Sequence, residues 1–240
     1  MKNYFFILFA AGAIQSVVFG GRQTIPLSIE GINLASTVNY LEISFAFAVG
    51  QLISGAVTPL GGVISDKYGS GKTLLLGIVI STLGCFLIPF STTPLMLVLS
   101  IGILSAGGSG IAGLPVIMSA VNKLVPPEKS GMAFGFVNAG GSVGQFLFAP
   151  LAGLMIINYG WQASIFAICA LLLMILPLVW ILRHQPEKKK KIQAGDNLTL
   201  SKALSLAFNT PSYILLISGF FVCGFHVAFI ITHMPGVIVA

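Results

Sequence analysis

The sequence predicts an all-α membrane protein: a six-helix transmembrane bundle, a polar connector and a seventh transmembrane helix. Three observations carry this. Hydrophobic residues make up 56% of the chain and charged residues only 8%, against about 25% charged in an ordinary globular domain. A chain so poor in charge cannot present a solvated surface all round. Its apolar residues gather in runs of about 20, the length that crosses a hydrocarbon core as a helix, and its cations fall almost wholly between those runs.

The runs cover roughly residues 4–27, 39–62, 73–91, 94–122, 131–157, 161–182 and 211–236. The first follows Met1-Lys2-Asn3 and outlasts the apolar stretch of a signal peptide, and more spans follow, so it is expected to be retained as a helix. The connections Ser91-Thr92-Thr93 and Asn158-Tyr159-Gly160 are very short, which makes the helices they join antiparallel neighbours. Lys2, Lys67, Lys72, Lys123, Lys129, Arg183, Lys188, Lys189, Lys190, Lys191 and Lys202 fall on one side of this layout, whereas residues 28–38, 91–93 and 158–160 contain no Lys or Arg. The positive-inside rule then puts the N-terminus and residues 63–72, 123–130 and 183–210 in the cytoplasm of a cell with this protein in its membrane. The chain thus divides into a bundle (1–182), a cytoplasmic linker (183–210) and a seventh helix (211–240). Four consecutive lysines in the linker suit a solvated segment near anionic lipid, at about 1 kcal/mol per cation. They are not interleaved with aromatics, and no nucleic-acid partner is expected. Residues 200–208 are expected to form a short interfacial helix, and Pro211 suits the first turn of the last span.

Between the second and third runs lies Gly61-Gly62-Val63-Ile64-Ser65-Asp66-Lys67-Tyr68-Gly69-Ser70-Gly71-Lys72, read as a short charged turn. This stretch resembles the major facilitator superfamily, whose loop between helices two and three reads Gly-x-Leu-Ala-Asp-Arg-x-Gly-Arg-Lys. Gly62, Ile64, Ser65, Asp66, Lys67 and Gly69 fall on that pattern, and Ser70 and Gly71 depart from it. Farther on, residues 130–135, Asn138 to Gly144, Pro150 and Gly160-Trp161 look like the monocarboxylate and oxalate–formate porter branch, with Gln162 where that branch commonly has arginine. The resemblance implies a twelve-helix fold of two six-helix halves, of which this chain supplies one half, the linker and one helix of the other. It also implies that the Asp66 turn (Gly62, Asp66, Lys67, Gly69) bears on the contact that closes the transporter inward. The chain is accordingly expected to be truncated or to need a second half as partner.

Several patterns are set aside. Gly108-Ser109-Gly110-Ile111-Ala112-Gly113 has dinucleotide-binding spacing but lies inside an apolar run, and Gly71-Lys72-Thr73 lacks the earlier glycine of a phosphate loop. Cys85, Cys169 and Cys223 have no zinc-type spacing. No nucleophile–base–acid set, metal cluster or cofactor motif is present, so neither an enzyme nor a cofactor is expected. Gly131 with Gly135, Gly140 with Gly144, Ala149 with Gly153, and Gly102, Ala106, Gly110 and Gly113 have the spacing of close helix packing.

Ionisable residues inside spans are the functional leads, since each costs about 2.5–3.5 kcal/mol at a helix centre. Arg22 stands out because every other basic residue fits the cytoplasmic side. It is read toward the outer end of helix one, with Gln15 on the same face. Either it anchors an anion through paired hydrogen bonds, or it snorkels to the outer interface. Glu42, near the outer start of helix two, is a proton exchanger, a partner for Arg22, or a solvated interfacial carboxylate. Asn138, Ser142 and Gln145 form a polar stripe suited to substrate or to neighbouring helices. His226 and His233 share a face of helix seven, where a histidine binds substrate or takes a proton.

Together these features point to a secondary transporter of a small, monocarboxylate-like organic anion working by alternating access, with a coupling proton as a further partner. Substrate contacts are assigned to Arg22, Gln15, Asn138, Gln145 and His226. A non-transporting membrane remnant and an exporter of lipophilic compounds are the alternatives. Tags in the Asp66 hairpin and in the four-lysine linker are expected to be reachable only from the cytoplasm; labelling of either from outside intact cells contradicts the layout.

Overall fold

The computed structural model describes residues 4–183 and 205–239, and these contain no strand. The chain divides into two compact units, Met1–Gln185 and Pro186–Ala240. In the first, six helices are long and apolar enough to cross a membrane: α1 (Tyr4–Ala35), α2 (Tyr40–Tyr68), α3 (Ser70–Phe90), α4 (Pro94–Asn122), α5 (Pro127–Tyr159) and α6 (Trp161–Trp180). In the second, α7 runs over Pro211–Val239, and at about 1.5 Å per residue it is also long enough to cross. The four-lysine run lies outside the described residues. So does the start of the expected 200–208 helix, although residues 205–208 are helical.

The helices run farther than their apolar cores. α1 does not stop near residue 27 but continues to Ala35, passing through a 3₁₀ turn at Ile25–Ser28 that contains Pro26. Proline lacks an N–H, and tighter local winding absorbs that loss without ending the helix. Likewise the charged stretch at 61–72 is not a loop. α2 carries Asp66 and Lys67 in its last turn, and α3 begins at Ser70. Polar residues do not themselves end a helix. Gly69 does, at φ +92°, a conformation that side chains rarely adopt.

Glu42 has a structural place. Its carboxylate accepts from the Asn39 backbone N–H at 3.0 Å, and Asn39 Oδ1 accepts from the Glu42 N–H at 2.9 Å. This reciprocal capping box starts α2 and leaves Glu42 serving the helix end rather than Arg22.

Burial separates the helices into layers. In α1 and α4, 61% of the most apolar window is buried, against 22% in α2 and 17% in α5. The first two form the centre, and the other two each give the bundle only a narrow face. Lipid supplies no hydrophobic drive between helices, so close packing has to hold them, and glycine backbones make it possible. A side-chain carbon on Gly140 would sit 2.5 Å from the Gly12 carbonyl oxygen, and one on Gly144 would collide with the Ser16 carbonyl. These contacts clamp α5 to α1. Gly110 meets Ser54 of α2, and Gly108 meets Ser81 of α3, in the same way. Gly131, Gly135 and Gly153, by contrast, have nothing within 4 Å, so only part of the small-residue pattern in α5 serves this bundle.

At the other end of α5, Gly160 (φ +86°) is the whole connection to α6. The Trp161 ring then occupies the space a side chain on Gly31 would need, docking α6 on the extension of α1. At the opposite end of the bundle three hydroxyls tie α2, α3 and α4 together. Ser65 Oγ donates to Ser70 Oγ at 2.9 Å, and Ser70 Oγ lies 3.2 Å from Ser119 Oγ.

Replacing Gly144 with Val is expected to lower the Tm of the purified protein by several degrees, for about 1–3 kcal/mol of overpacking. Gly131→Ala is expected to leave stability within about 0.5 kcal/mol of the parent, and the Tm nearly unchanged, as at an uncommitted surface position. Thermal unfolding followed by Trp161 and Trp180 fluorescence checks both.

Candidate functional site

The extension of α1 changes where Arg22 sits. With about thirteen residues, or roughly 20 Å of helix, beyond it, Arg22 falls near the middle of α1 and does not snorkel to the outer interface. Its guanidinium turns to α2 instead. Nη1 donates to Ser54 Oγ at 2.9 Å and Nη2 to Gln51 Oε1 at 2.7 Å. Both acceptors are neutral. A guanidinium carries five N–H donors, so these two bonds leave three for another ligand.

Arg22 and Gln15 line one cleft of about 260 Å³ that lies wholly within the first unit. Local irregularity in the helices shapes it. Between the two residues α1 winds as a π-helix over Ser16–Gly20, a distortion often found at functional sites. α4 breaks at Ala112 and Gly113 before resuming at Leu114 with Pro115 in its first turn. Ser109, Gly110, Gly113, Leu114 and Pro115 from this break line one wall; α2 adds Ser54 and Thr58, and α5 adds Asn138, Gly141 and Ser142. Among the described residues no Asp or Glu lines the cleft.

The hydrogen-bond inventory of the walls is uneven. Thr58 donates to the Ser54 carbonyl at 2.7 Å and Ser109 to the Ala106 carbonyl at 2.9 Å, so both have spent their protons on their own helices. Gln15 is only 6% exposed, and its Oε1 has no hydrogen-bond partner. Its amide lies against α5, where a side chain on Gly141 would meet Gln15 Nε2 at 3.4 Å.

Three of the five residues expected to touch substrate therefore meet here: Arg22, Gln15 and Asn138. Gln145 is half-buried and outside the lining; it lies one turn along α5 from the walls, past the Gly144–Ser16 clamp. His226 belongs to the second unit, on α7, with its side chain exposed. His233 lies among the residues whose side chains are not described. Asp66 and Lys67 are exposed at the end of α2, Lys67 Nζ lying 5.3 Å from the Tyr68 ring centroid. The sequence reasoning missed Gln51, Ser54 and Thr58. Their signal was present: three polar residues at helical spacing in an otherwise apolar span, the pattern singled out on α5. Among the described residues no group of three or more His, Cys, Asp or Glu could hold a metal ion.

Comparison with known proteins agrees with this architecture. The crystal structure of the POT family transporter PepTSo, grown in meso, superposes with a TM-score of 0.61 at 20% identity, covering 97% of this chain and 51% of that one. At that identity the likeness concerns the fold alone. Monocarboxylate transporter 13 of Rattus norvegicus is 26% identical over 157 residues, 65% of this chain and 36% of the relative. The hexuronate transporter of Bacillus subtilis (strain 168) is 27% identical over 175 residues, 72% of this chain and 39% of the relative. The chain thus spans well under half the length of these curated relatives. The sequence profile of the Major Facilitator Superfamily matches residues 5–239, and this multi-pass membrane protein, with its six-helix bundle, belongs to that superfamily.

Proposed function

We propose that the chain is part of a secondary transporter of a small organic anion, worked by alternating access, and that Arg22 holds the anionic group. The observation that carries this reading is a guanidinium at mid-helix bound only to the neutral Gln51 and Ser54. A half-buried cation midway along a membrane-crossing helix is costly unless compensated, and among the described residues no carboxylate lines the cleft. A substrate carboxylate fits the vacancy in charge, because it accepts two parallel N–H bonds from a guanidinium fork. The relatives whose names specify a monocarboxylate or a hexuronate carry substrates of the same charge.

In this reading Gln15 and Asn138 complete the contact in the first bundle. A second bundle completes the transporter, and His226 is kept as a separate candidate for a substrate or proton-exchanging group. The wide exposed faces of α2 and α5, with open glycines at Gly55, Gly131 and Gly135, suit close approach by that second bundle. Asp66 and Lys67, in the hairpin braced by the Ser65–Ser70–Ser119 hydroxyls, are proposed to bear on the contact with that bundle at the cytoplasmic end. Gln145 is not retained as a substrate contact. The partial coverage of the relatives supports transport together with a second half, and the distribution of Lys and Arg supports a cell-membrane orientation with the N-terminus cytoplasmic.

The test is uptake of radiolabelled monocarboxylates and hexuronates into proteoliposomes by the chain completed with a homologous second half. Arg22→Gln is expected to reduce uptake at least tenfold, the loss of a charged hydrogen-bond donor being worth about 1.5–3 kcal/mol. Arg22→Lys, which keeps the charge but not the fork, is expected to lie between. Uptake by Arg22→Gln equal to that of the parent removes Arg22 from this role.

A further inference from the structure

We infer that Gln15 selects for a hydroxyl group on the anion, so that the preferred ligand is a hydroxy carboxylate rather than its deoxy counterpart. This rests on the reading of Arg22 as the anion anchor and adds a second contact to the same cleft. Gln15 is more than nine-tenths buried, it lines the cleft with Arg22, and its Oε1 is an acceptor without a donor. The cleft carries donors on Arg22, Asn138 and Ser142, but none of them bonds this oxygen. Thr58 and Ser109 also line the cleft and have already committed their hydroxyl protons to carbonyls of their own helices. Their remaining hydrogen-bonding capacity is that of acceptors.

The cleft therefore offers two kinds of recognition. Arg22 provides N–H donors for a carboxylate. Gln15, with Thr58 and Ser109, provides acceptors for something that donates. When the cleft holds water, a water molecule fills the second requirement. A hydroxyl can replace that water and keep its hydrogen bond, whereas a methyl or methylene displaces it and leaves the amide oxygen bare. Sites built to bond a substrate hydroxyl reject the analogue lacking it for this reason. A hydroxyl also accepts, so it pairs with the amide whichever of its two ends faces the cleft.

The experiment uses the chain itself in lipid nanodiscs and measures binding by calorimetry for matched pairs differing by hydroxyl groups: glycolate and acetate, 3-hydroxybutyrate and butyrate, gluconate and hexanoate. The expected result is that in at least one pair the hydroxylated member binds about tenfold tighter or more, and that the ratio falls to about one in Gln15→Leu. Equal affinities within every pair overturn the role of Gln15 while leaving the anion site standing. So does a preference that survives intact in a folded Gln15→Leu protein. No binding of any of the six, or binding indifferent to Arg22→Gln, overturns the anion reading and this inference with it. The comparison within pairs on the unaltered chain needs no variant to fold.

Discussion

A full positive charge lies halfway along a membrane-crossing helix, and among the described residues the bundle answers it with hydrogen bonds but no counter-charge. That imbalance organises the site. Ser54 and Gln51 satisfy two of the five N–H groups of Arg22 and fix its direction across from α1 to α2, but neutral acceptors do not cancel a charge in a medium of low dielectric constant. The guanidinium is thereby oriented and left electrostatically incomplete, the state in which an incoming carboxylate gains most. Had Glu42 been its partner, the arginine would be a structural ion pair. The capping box at the start of α2 takes Glu42 out of that competition.

The rest of the bundle makes a cleft at that point. Backbone contacts at Gly140 and Gly144 hold α5 hard against α1, and contacts at Gly110 hold α4 against α2. Close packing on this scale would ordinarily leave no interior space. Space opens because two of the helices are irregular there. The π segment of α1 and the break in α4 at Gly113 turn backbone away from regular pairing, and irregular backbone is tolerated at membrane depth only where protein or a cavity receives it. The same distortions that cost helix regularity thus produce the polar interior that lines the site.

Much of the fold was legible in the sequence, because the bilayer imposes length and polarity directly on it. The first six apolar runs became the six helices of the first unit, and the seventh became α7. What misled was the assumption that polarity marks an end. Asp66 and Lys67 are helical, as are Ser28 and Glu30, since backbone hydrogen bonding continues wherever no residue forbids it. That error displaced Arg22 toward the interface on paper and gave snorkelling more weight than the helix allows. At the site, Arg22, Gln15 and Asn138 were visible as polar residues in apolar runs. Gln51 and Ser54 carried the same mark and were overlooked, because their importance depends on which face of α2 meets α1, and that is a tertiary fact. Gln145 lies on the same stripe of α5 but one turn beyond the cleft, a position that the spacing alone does not give.

The claim on which the account turns is that an anion reaches the guanidinium of Arg22. The chain contains only two arginines, Arg22 and Arg183, so ¹⁵N-arginine labelling nearly isolates the group. Solid-state dipolar recoupling between that label and a bound ligand ¹³C-enriched at its carboxylate reads the contact directly. The account predicts strong dephasing at hydrogen-bonding range, about 4 Å from nitrogen to carboxyl carbon for a paired fork. A bound ligand whose carboxylate shows no coupling to arginine nitrogen would contradict it.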